Sequence, residues 1–314
     1  MKTSRDNHQA DHWKLRGSPA GIHIFNRTTG LNVLIYEIPV PSSLYSRAPR
    51  HVSIALTNRC NLTCDHCFVP KSFHELPYDT VICWLHELDA NGTLGVGFGG
   101  GEPTQYPRFV ELCRHVAREM QLSVTFTTHG HNIDESMADK LRGSVNFIRV
   151  SMDGIGHNYE SIRRRPFDKF IAHMKLVRTI ANFGINFIVN EHTLLDLDNA
   201  VAIAADLGSC ELLLLPQMAT RKCPQVDNDT LKGLRKWVET YRGTMRLCIN
   251  EGYAEGFSIC NPTAPEQGLR AYAHIDAAGV LKLSSYDATG MPIGSEGIMS
   301  ALDRLAHKHQ EKET

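Results

Sequence analysis

Val52-Ser53-Ile54-Ala55-Leu56-Thr57-Asn58-Arg59-Cys60-Asn61-Leu62-Thr63-Cys64-Asp65-His66-Cys67 sets a β-rich run directly before three cysteines spaced by gaps of three and two residues. Three thiolates on one tight loop can each take a corner iron of a cubane cluster, which leaves the fourth iron without a protein ligand and open to a small molecule. The other use of such a loop is a structural zinc site built from Cys60, Cys64, Cys67 and His66, although zinc ligands normally come as paired short spacings on separate loops. The chain has nine cysteines, an odd number, and three of them fall in this one stretch. That clustering favours metal ligation over disulfides.

Outward from this loop, short β-like runs alternate with amphipathic segments, the rhythm of βα units around a parallel sheet. Strands are expected at 52–56, 95–98, 123–127, 147–151, 186–190 and 211–215, and helices at 79–90, 108–120, 135–142, 167–183 and 197–207. Six such repeats with right-handed crossovers give an α/β fold, a partial (β/α)6 barrel whose functional loops share the rim at the strands' carboxyl ends. Before it, residues 1–20 read as a loosely ordered polar leader. Runs at 22–25 and 31–38 then form a β-hairpin turned by Asn26-Arg27-Thr28-Thr29-Gly30, and Pro39, Pro41 and Pro49 make a non-helical linker. After Pro224 the rhythm changes to a helix at 227–241, an irregular stretch holding Cys248 and Cys260, a hairpin around Ala277-Ala278-Gly279, and a last helix at 297–309 before a charged tail. The expected divisions are an arm over 1–50, a core barrel over 51–220 and an extension over 221–314.

Net charge of −1 and a pI near 7.0 argue against a nucleic-acid or anionic-membrane protein. Arg163-Arg164-Arg165 reads as local salt bridges or anion contacts. No run of about twenty apolar residues exists and the first twelve residues are polar, so a cytoplasmic location is expected, with no membrane partner. Cys83 and Cys113 fall in helical periodicity and are expected in the core.

The strand ends carry the remaining chemistry. Gly99-Gly100-Gly101-Glu102-Pro103 follows the second strand, where glycines let a backbone approach a ligand without Cβ interference. Thr127-Thr128-His129-Gly130 ends the third strand and reads equally as a turn. Val150-Ser151-Met152-Asp153-Gly154 ends the fourth, Tyr159-Glu160-Ser161-Ile162-Arg163 follows it, Asn190 closes the fifth, and Leu214-Leu215-Pro216 closes the sixth. Asp153 could equally cap the next helix.

In this order the motifs resemble the radical S-adenosylmethionine (radical SAM) superfamily over about residues 51–220. The resemblance implies a [4Fe–4S] cluster on Cys60, Cys64 and Cys67 whose open iron is chelated by the methionine part of S-adenosylmethionine. Reductive cleavage would then release a 5′-deoxyadenosyl radical that abstracts a hydrogen atom from a substrate. It also implies that Gly100, Gly101 and Glu102 hold the methionine amino group, that Thr128 and Ser151 contact the cofactor, and that Arg163 pairs with its carboxylate, a geometry arginine suits better than lysine. Asp153 and Asn190 are implied at the ribose and Leu215 at the adenine. His66 departs from the aromatic residue usual before the third cysteine, and His129 departs from the usual Thr-Asn-Gly.

The hairpin over 273–284 resembles the SPASM or twitch extensions that bind auxiliary iron–sulfur clusters, but Ser284 stands where those have cysteine. Two readings stay open there: one auxiliary cluster with an incomplete set drawn from Cys223, Cys248 and Cys260, or a degenerate extension with none. Cys223, after the sixth strand, could instead donate a hydrogen atom to a substrate radical, or simply begin a loop. Relatives of this type often modify ribosomally made peptides, so a peptide is the first expected substrate and a small molecule or cofactor precursor the second, with flavodoxin or ferredoxin as reductant. An activase that plants a glycyl radical on a partner and a zinc-stapled binding module are the competing functions.

Overall fold

The structure is a computed structural model that describes residues 12–70, 72–261, 263 and 265–313, the last four of these by their helical backbone alone. The expected leader over 1–20 lies outside those residues up to position 11. Beyond that it is not loose: β1 (Trp13–Ser18) pairs antiparallel with β2 (Gly21–Asn26), which pairs with β3 (Asn32–Ile35). The hairpin expected from the Asn26–Gly30 turn is therefore the second half of a three-stranded arm.

The main body runs β4 (His51–Thr57), α1 (Tyr78–Ala90), β5 (Gly95–Gly100), α2 (Phe109–Glu119), β6 (Ser123–Thr128), α3 (Glu135–Leu141), β7 (Phe147–Ser151), α4 (His157–Arg163), α5 (Phe167–Ile180), β8 (Asn182–Val189), α6 (Leu197–Asp206) and β9 (Glu211–Pro216). After α7 (Asn228–Thr240) come β10 (Arg246–Ile249), β11 (Tyr272–Ile275), β12 (Val280–Lys282), β13 (Met291–Pro292) and α8 (Gly297–Glu313). One sheet takes them in the order β10-β9-β8-β7-β6-β5-β4-β11-β12-β13, parallel from β10 to β11 and antiparallel beyond, and it does not close on itself.

Period-two alternation divides each strand between two environments. Val52, Ile54 and Leu56 of β4, Val96 and Phe98 of β5, Val124 and Phe126 of β6, and Ile148 and Val150 of β7 are buried together with Leu85, Leu88, Leu112 and Val116 of α1 and α2. Each such side chain contributes roughly 1.5–3 kcal/mol of burial. The opposite face carries small or polar residues, Gly97, Gly99, Ser53, Thr125, Arg149 and Asn186 among them, and these line a cavity. The sheet thus has a greasy convex side under helices and a wet concave side that forms the site.

Several expectations need correction. The helix read at 167–183 stops at Ile180, because Ala181 is already extended and Phe183, Ile185, Phe187 and Val189 alternate as β8 does; the strand therefore starts four residues before 186. A helix at 157–163 and a strand at 246–249, both too short to show periodicity, went unread. Cys248 accordingly lies on β10, not in an irregular stretch. The charged tail continues α8. Cys113 shares the buried stripe of α2 with Phe109, Leu112 and Val116, but Cys83 is exposed, since the stripe of α1 is Val81, Trp84, Leu85 and Leu88 and position 83 falls off it. Among the described residues no helix is long and apolar enough to cross a membrane.

Candidate active site

The loop after β4 is shaped by backbone pairing before any side chain acts. Gly101 N–H donates to Thr57 O at 2.7 Å and Glu102 N–H to Arg59 O at 2.8 Å, so the glycine loop after β5 grips the approach to Cys60. The return stretch is tied down by Asn58 N–H to His74 O at 2.9 Å and Leu76 N–H to Leu56 O at 2.9 Å. Leu62 is buried and anchors the loop between the first two thiols. Cys60, Cys64 and Cys67 all line one cavity of about 960 Å³. Burial pushes the Cys60 and Cys64 thiols up.

Glycine is required at two of the three positions. Gly100 has φ 123°, and a Cβ there would stand 2.2 Å from Thr57 O; at Gly101 it would stand 2.2 Å from Arg59 O. Gly99 differs: a Cβ there would meet nothing within 4 Å, because it faces the open cavity. Gly100→Ala is expected to break the seam between the two loops. Strain at that φ alone is of order 1–3 kcal/mol, and the clash adds to it. Thermal denaturation checks the loss of stability, and iron uptake checks the displacement of the cysteine loop.

Glu102 is almost wholly buried with its carboxylate aimed by a set of donors. Oε1 accepts from Thr128 Oγ1 at 2.7 Å and Thr104 Oγ1 at 2.6 Å, and Oε2 from His129 N–H at 3.0 Å. Burial raises its pKa against the pull of those donors. Thr128 thus positions Glu102 as well as lining the cavity. His129 carries more than its departure from the family pattern suggested. Its Nδ1 accepts the His131 N–H at 3.1 Å, which leaves the proton on Nε2 to face Asn61 Oδ1 at 2.9 Å, beside Cys60. Burial, helped by Arg163 and Arg165, lowers the His129 pKa to about 3, so the ring is neutral.

The second charged group comes from β7 and α4. Arg163 pairs with Asp153, its Nη1 lies 3.6 Å from Cys64 Sγ, and its buried Nε has no hydrogen-bond partner among the described residues. Burial would raise the Asp153 pKa, but Arg163 and His66 outweigh it and hold the carboxyl at about 2. His66, the fourth ligand of the zinc reading, is turned to Asp153, with Nε2 at 3.3 Å from Oδ2. An orphaned guanidinium edge, a carboxylate at Glu102 and the space above Gly99 fit a zwitterionic ligand seated beside three thiols.

Gly100, Gly101, Glu102, Thr128, Ser151, Asp153, Arg163 and Leu215 all line the cavity. Asn190 does not: its Oδ1 accepts from the His192 and Thr193 N–H groups at 3.0 Å each, and its Nδ2 donates to Gln217 Oε1 at 3.1 Å. Gln217 and Met218 line the cavity in its place. Cys223 does not reach the cavity lining either; it closes a turn with Thr220. Cys248 Sγ faces Glu211 Oε2 at 3.7 Å, and Cys260 is exposed on a loop, so the three candidate auxiliary ligands have separate surroundings. Ser284 N–H is held by Asp287 Oδ2 at 2.8 Å.

The cavity's other half was not read from the sequence. Tyr272 O–H donates to Ser53 Oγ at 2.8 Å, and Ser53 Oγ lies 2.6 Å from His274 Nδ1, whose ring burial holds at a pKa of about 4. Beyond them the cavity runs past Arg149 and Glu211 to Phe25 and the arm's Arg27–Gly30 turn. These residues come together only because β11 docks on β4, a pairing between segments some 220 residues apart.

Comparison with known proteins accords with this geometry. The Radical SAM superfamily model matches residues 54–202. The chain is 29% identical over 150 residues to Fe-coproporphyrin III synthase of Methanosarcina barkeri, covering 45% of this chain and 37% of that protein. It is 29% identical over 174 residues to PqqA peptide cyclase of Ruegeria pomeroyi, covering 52% and 46%. It spans about half or less of the length of these relatives. Among solved structures, Streptococcus suis SuiB bound to precursor peptide SuiA superposes with a TM-score of 0.74 at 13% identity, covering 93% of this chain and 87% of that one. Native anSMEcpe with bound AdoMet gives 0.63 at 18%, covering 83% and 82%.

Proposed function

The chain carries a radical SAM superfamily domain, and on that premise we propose that it cleaves S-adenosylmethionine reductively and abstracts a hydrogen atom from a peptide substrate. The superfamily's cofactors are a [4Fe–4S] cluster and S-adenosylmethionine; together they supply a 5′-deoxyadenosyl radical. The observation that carries the reading is one cavity faced by Cys60, Cys64 and Cys67, by the buried Glu102 and by the unsatisfied edge of Arg163.

In this reading the three thiolates hold the cluster. Glu102, aimed by Thr128, Thr104 and His129, receives the methionine amino group, and the backbone of Gly99–Gly101 lets that group come close. Arg163 takes the carboxylate through its free edge, while its pairing with Asp153 fixes the guanidinium plane and keeps a second charge within reach of the ribose. Ser151 and Leu215 line the wall beside them. Residues 221–314 act as a small extension whose strand β11 supplies Tyr272 and His274 to the substrate half.

A peptide is favoured because the cavity is long. It reaches from Phe68 and Tyr286 beside the cysteine loop to the exposed Thr28–Gly30 turn, so an extended chain can enter without being wholly engulfed. Relatives named for peptide chemistry, the PqqA peptide cyclases, support the same choice. Relatives named as haem-pathway synthases support a small-molecule substrate as the second reading.

Anaerobic incubation with iron and sulfide is expected to give a brown protein that forms 5′-deoxyadenosine under low-potential reduction. Zinc bound in place of iron, or a brown protein that leaves S-adenosylmethionine intact, would sink the proposal. Deuterium transfer from a labelled candidate peptide into 5′-deoxyadenosine separates the two substrate readings.

A further inference from the structure

Four strands carry one charged row across the concave face. Arg149 on β7 stands opposite Gly184 on β8, and Glu211 on β9 opposite Arg246 on β10. Arg149 reaches across β8, and its Nη2 pairs with Glu211 Oε1. Glycine at 184 permits that reach: a Cβ there would stand 2.8 Å from Glu211 Cγ and 3.0 Å from Phe147 Cζ. Arg246 Nη1 approaches the other carboxylate oxygen, 3.7 Å from Oε2. One buried carboxylate thus lies between two guanidinium groups and positions both without cancelling them.

The row faces the same cavity as the three thiols. Of the arginines and carboxylates that line it, the cofactor half uses Arg163, Glu102 and Asp153. The far half keeps Arg27, Arg149 and Arg246 against Glu211 alone, three positive charges against one negative, in a chain whose net charge is −1. Arg27 bonds to the carbonyls of Met120 and Ala117 and pairs with no carboxylate among the described residues. The facing wall adds no acid: burial holds His51 and His274 each at a pKa of about 4, so both rings are neutral, and Tyr272 bonds to Ser53. Arg149 also keeps donors to spare. A guanidinium has five N–H groups, and beyond Glu211 its one further hydrogen bond among the described residues is a loose contact of 3.5 Å from Nη1 to Asn186 Oδ1. Fixed guanidinium groups in excess, in a partly enclosed space, suit a carboxylate taken in a two-point grip.

We propose that the Arg149–Glu211–Arg246 row binds the side-chain carboxylate of a glutamate or aspartate in the peptide substrate, an assignment that rests on the function proposed above. Arg149 lies two residues before Ser151 on β7, about 7 Å along the strand, so the anchored residue is held beside the cofactor half of the cavity. Glu211 is a positioning residue in this arrangement, since it touches the two arginines and leaves the substrate to them.

The test uses cluster-loaded protein with S-adenosylmethionine and titrates small probes by ligand-observed NMR. The probes are N-acetylglutamate N-methylamide, its glutamine counterpart, and butyrate, which has the same carbon chain and carboxylate without the peptide groups. Wild type is expected to bind the glutamate probe at least about tenfold more tightly than the glutamine probe, the worth of one charge-assisted bond. Two variants should each lose most of that preference. Arg149→Gln/Glu211→Gln leaves the row's net charge unchanged and removes the fork, while Arg246→Gln alters a side chain that is 76% exposed and leaves folding intact. Formation of 5′-deoxyadenosine without peptide reads the function separately, and Arg246→Gln should match wild type there. Equal binding of the glutamate and glutamine probes by wild type, or a preference undiminished in both variants, would overturn the row as a carboxylate site while leaving the function standing. Butyrate bound as tightly as the glutamate probe would assign the row to a small acid and overturn the peptide assignment. No S-adenosylmethionine cleavage by wild type would overturn the function on which that assignment rests.

Discussion

Protein with Cys60, Cys64 and Cys67 all changed to alanine is expected to fold, to stay colourless after anaerobic incubation with iron and sulfide, and to form no 5′-deoxyadenosine above blank. The fold should survive because the loop's path is fixed by main-chain bonds from Gly101 and Glu102 and by the buried Leu62, none of which involves a thiol. Removing one sulfur atom from the buried Cys64 costs about 1 kcal/mol, and Cys60 and Cys67 are only half-buried. Circular dichroism checks the fold, and visible absorption with iron analysis checks the cluster. Cleavage of S-adenosylmethionine by this variant would disprove the assignment of the three thiols. About four irons retained without cleavage would instead place a second cluster on Cys223, Cys248 and Cys260, against the separate surroundings these three have.

The motifs legible in the sequence were those whose meaning is local. A three-cysteine loop, a glycine run and a strand-end Ser or Asp are set by their neighbours in the chain, and the parallel α/β sheet follows from alternation alone. Asn190 was misread because an Asn after a strand serves a turn as readily as a ligand; here it caps the Glu191–Thr193 bend. Cys83 was misplaced by one position on a helical stripe. What could not be read was tertiary. Ser53, Tyr272 and His274 meet only through the β4–β11 pairing, and β10 is four residues long with no turn chemistry to announce it.

The arm fooled the hydropathy pattern for a different reason: in β1 the alternation is inverted. Trp13 and Leu15 are exposed while Lys14, Arg16 and Ser18 are buried. A polar face reads as a loose leader unless its partners are known, and those partners lie far along the chain. Lys14 pairs with Asp89. Arg16 spends every nitrogen: Nε on Glu266 Oε1 at 3.0 Å, Nη1 on Ala48 O at 2.8 Å and Gly92 O at 2.9 Å, and Nη2 on Arg270 O at 3.0 Å as well as Glu266. One carboxylate therefore ties the arm to the start of β4 and to the segment before β11.

Glu266→Ala is accordingly expected to destabilise the protein by about 3–5 kcal/mol, the usual cost of stranding a buried charge, and to lower Tm by roughly 6–20 °C. The carboxylate is fully buried, and its loss leaves the buried Arg16 without its partner and frees Arg50, whose Nη1 donates to Glu266 Oε2 at 2.8 Å. Burial already lowers the Arg16 pKa against the pull of Glu266, so removing that pull worsens a strained balance. Arg16→Met/Glu266→Leu should recover part of the loss, because apolar atoms then replace the buried ion pair, while Arg50, whose side chain is partly exposed, can turn to solvent. Thermal melts of the three proteins decide it: a Glu266→Ala melt within about 2 °C of wild type would mean that the cluster carries no net stability. The double variant also separates stability from placement. If it melts normally yet the arm's Arg27–Gly30 turn becomes accessible to protease, then the ion cluster's role is to hold that turn at the cavity mouth, where an entering substrate would meet it.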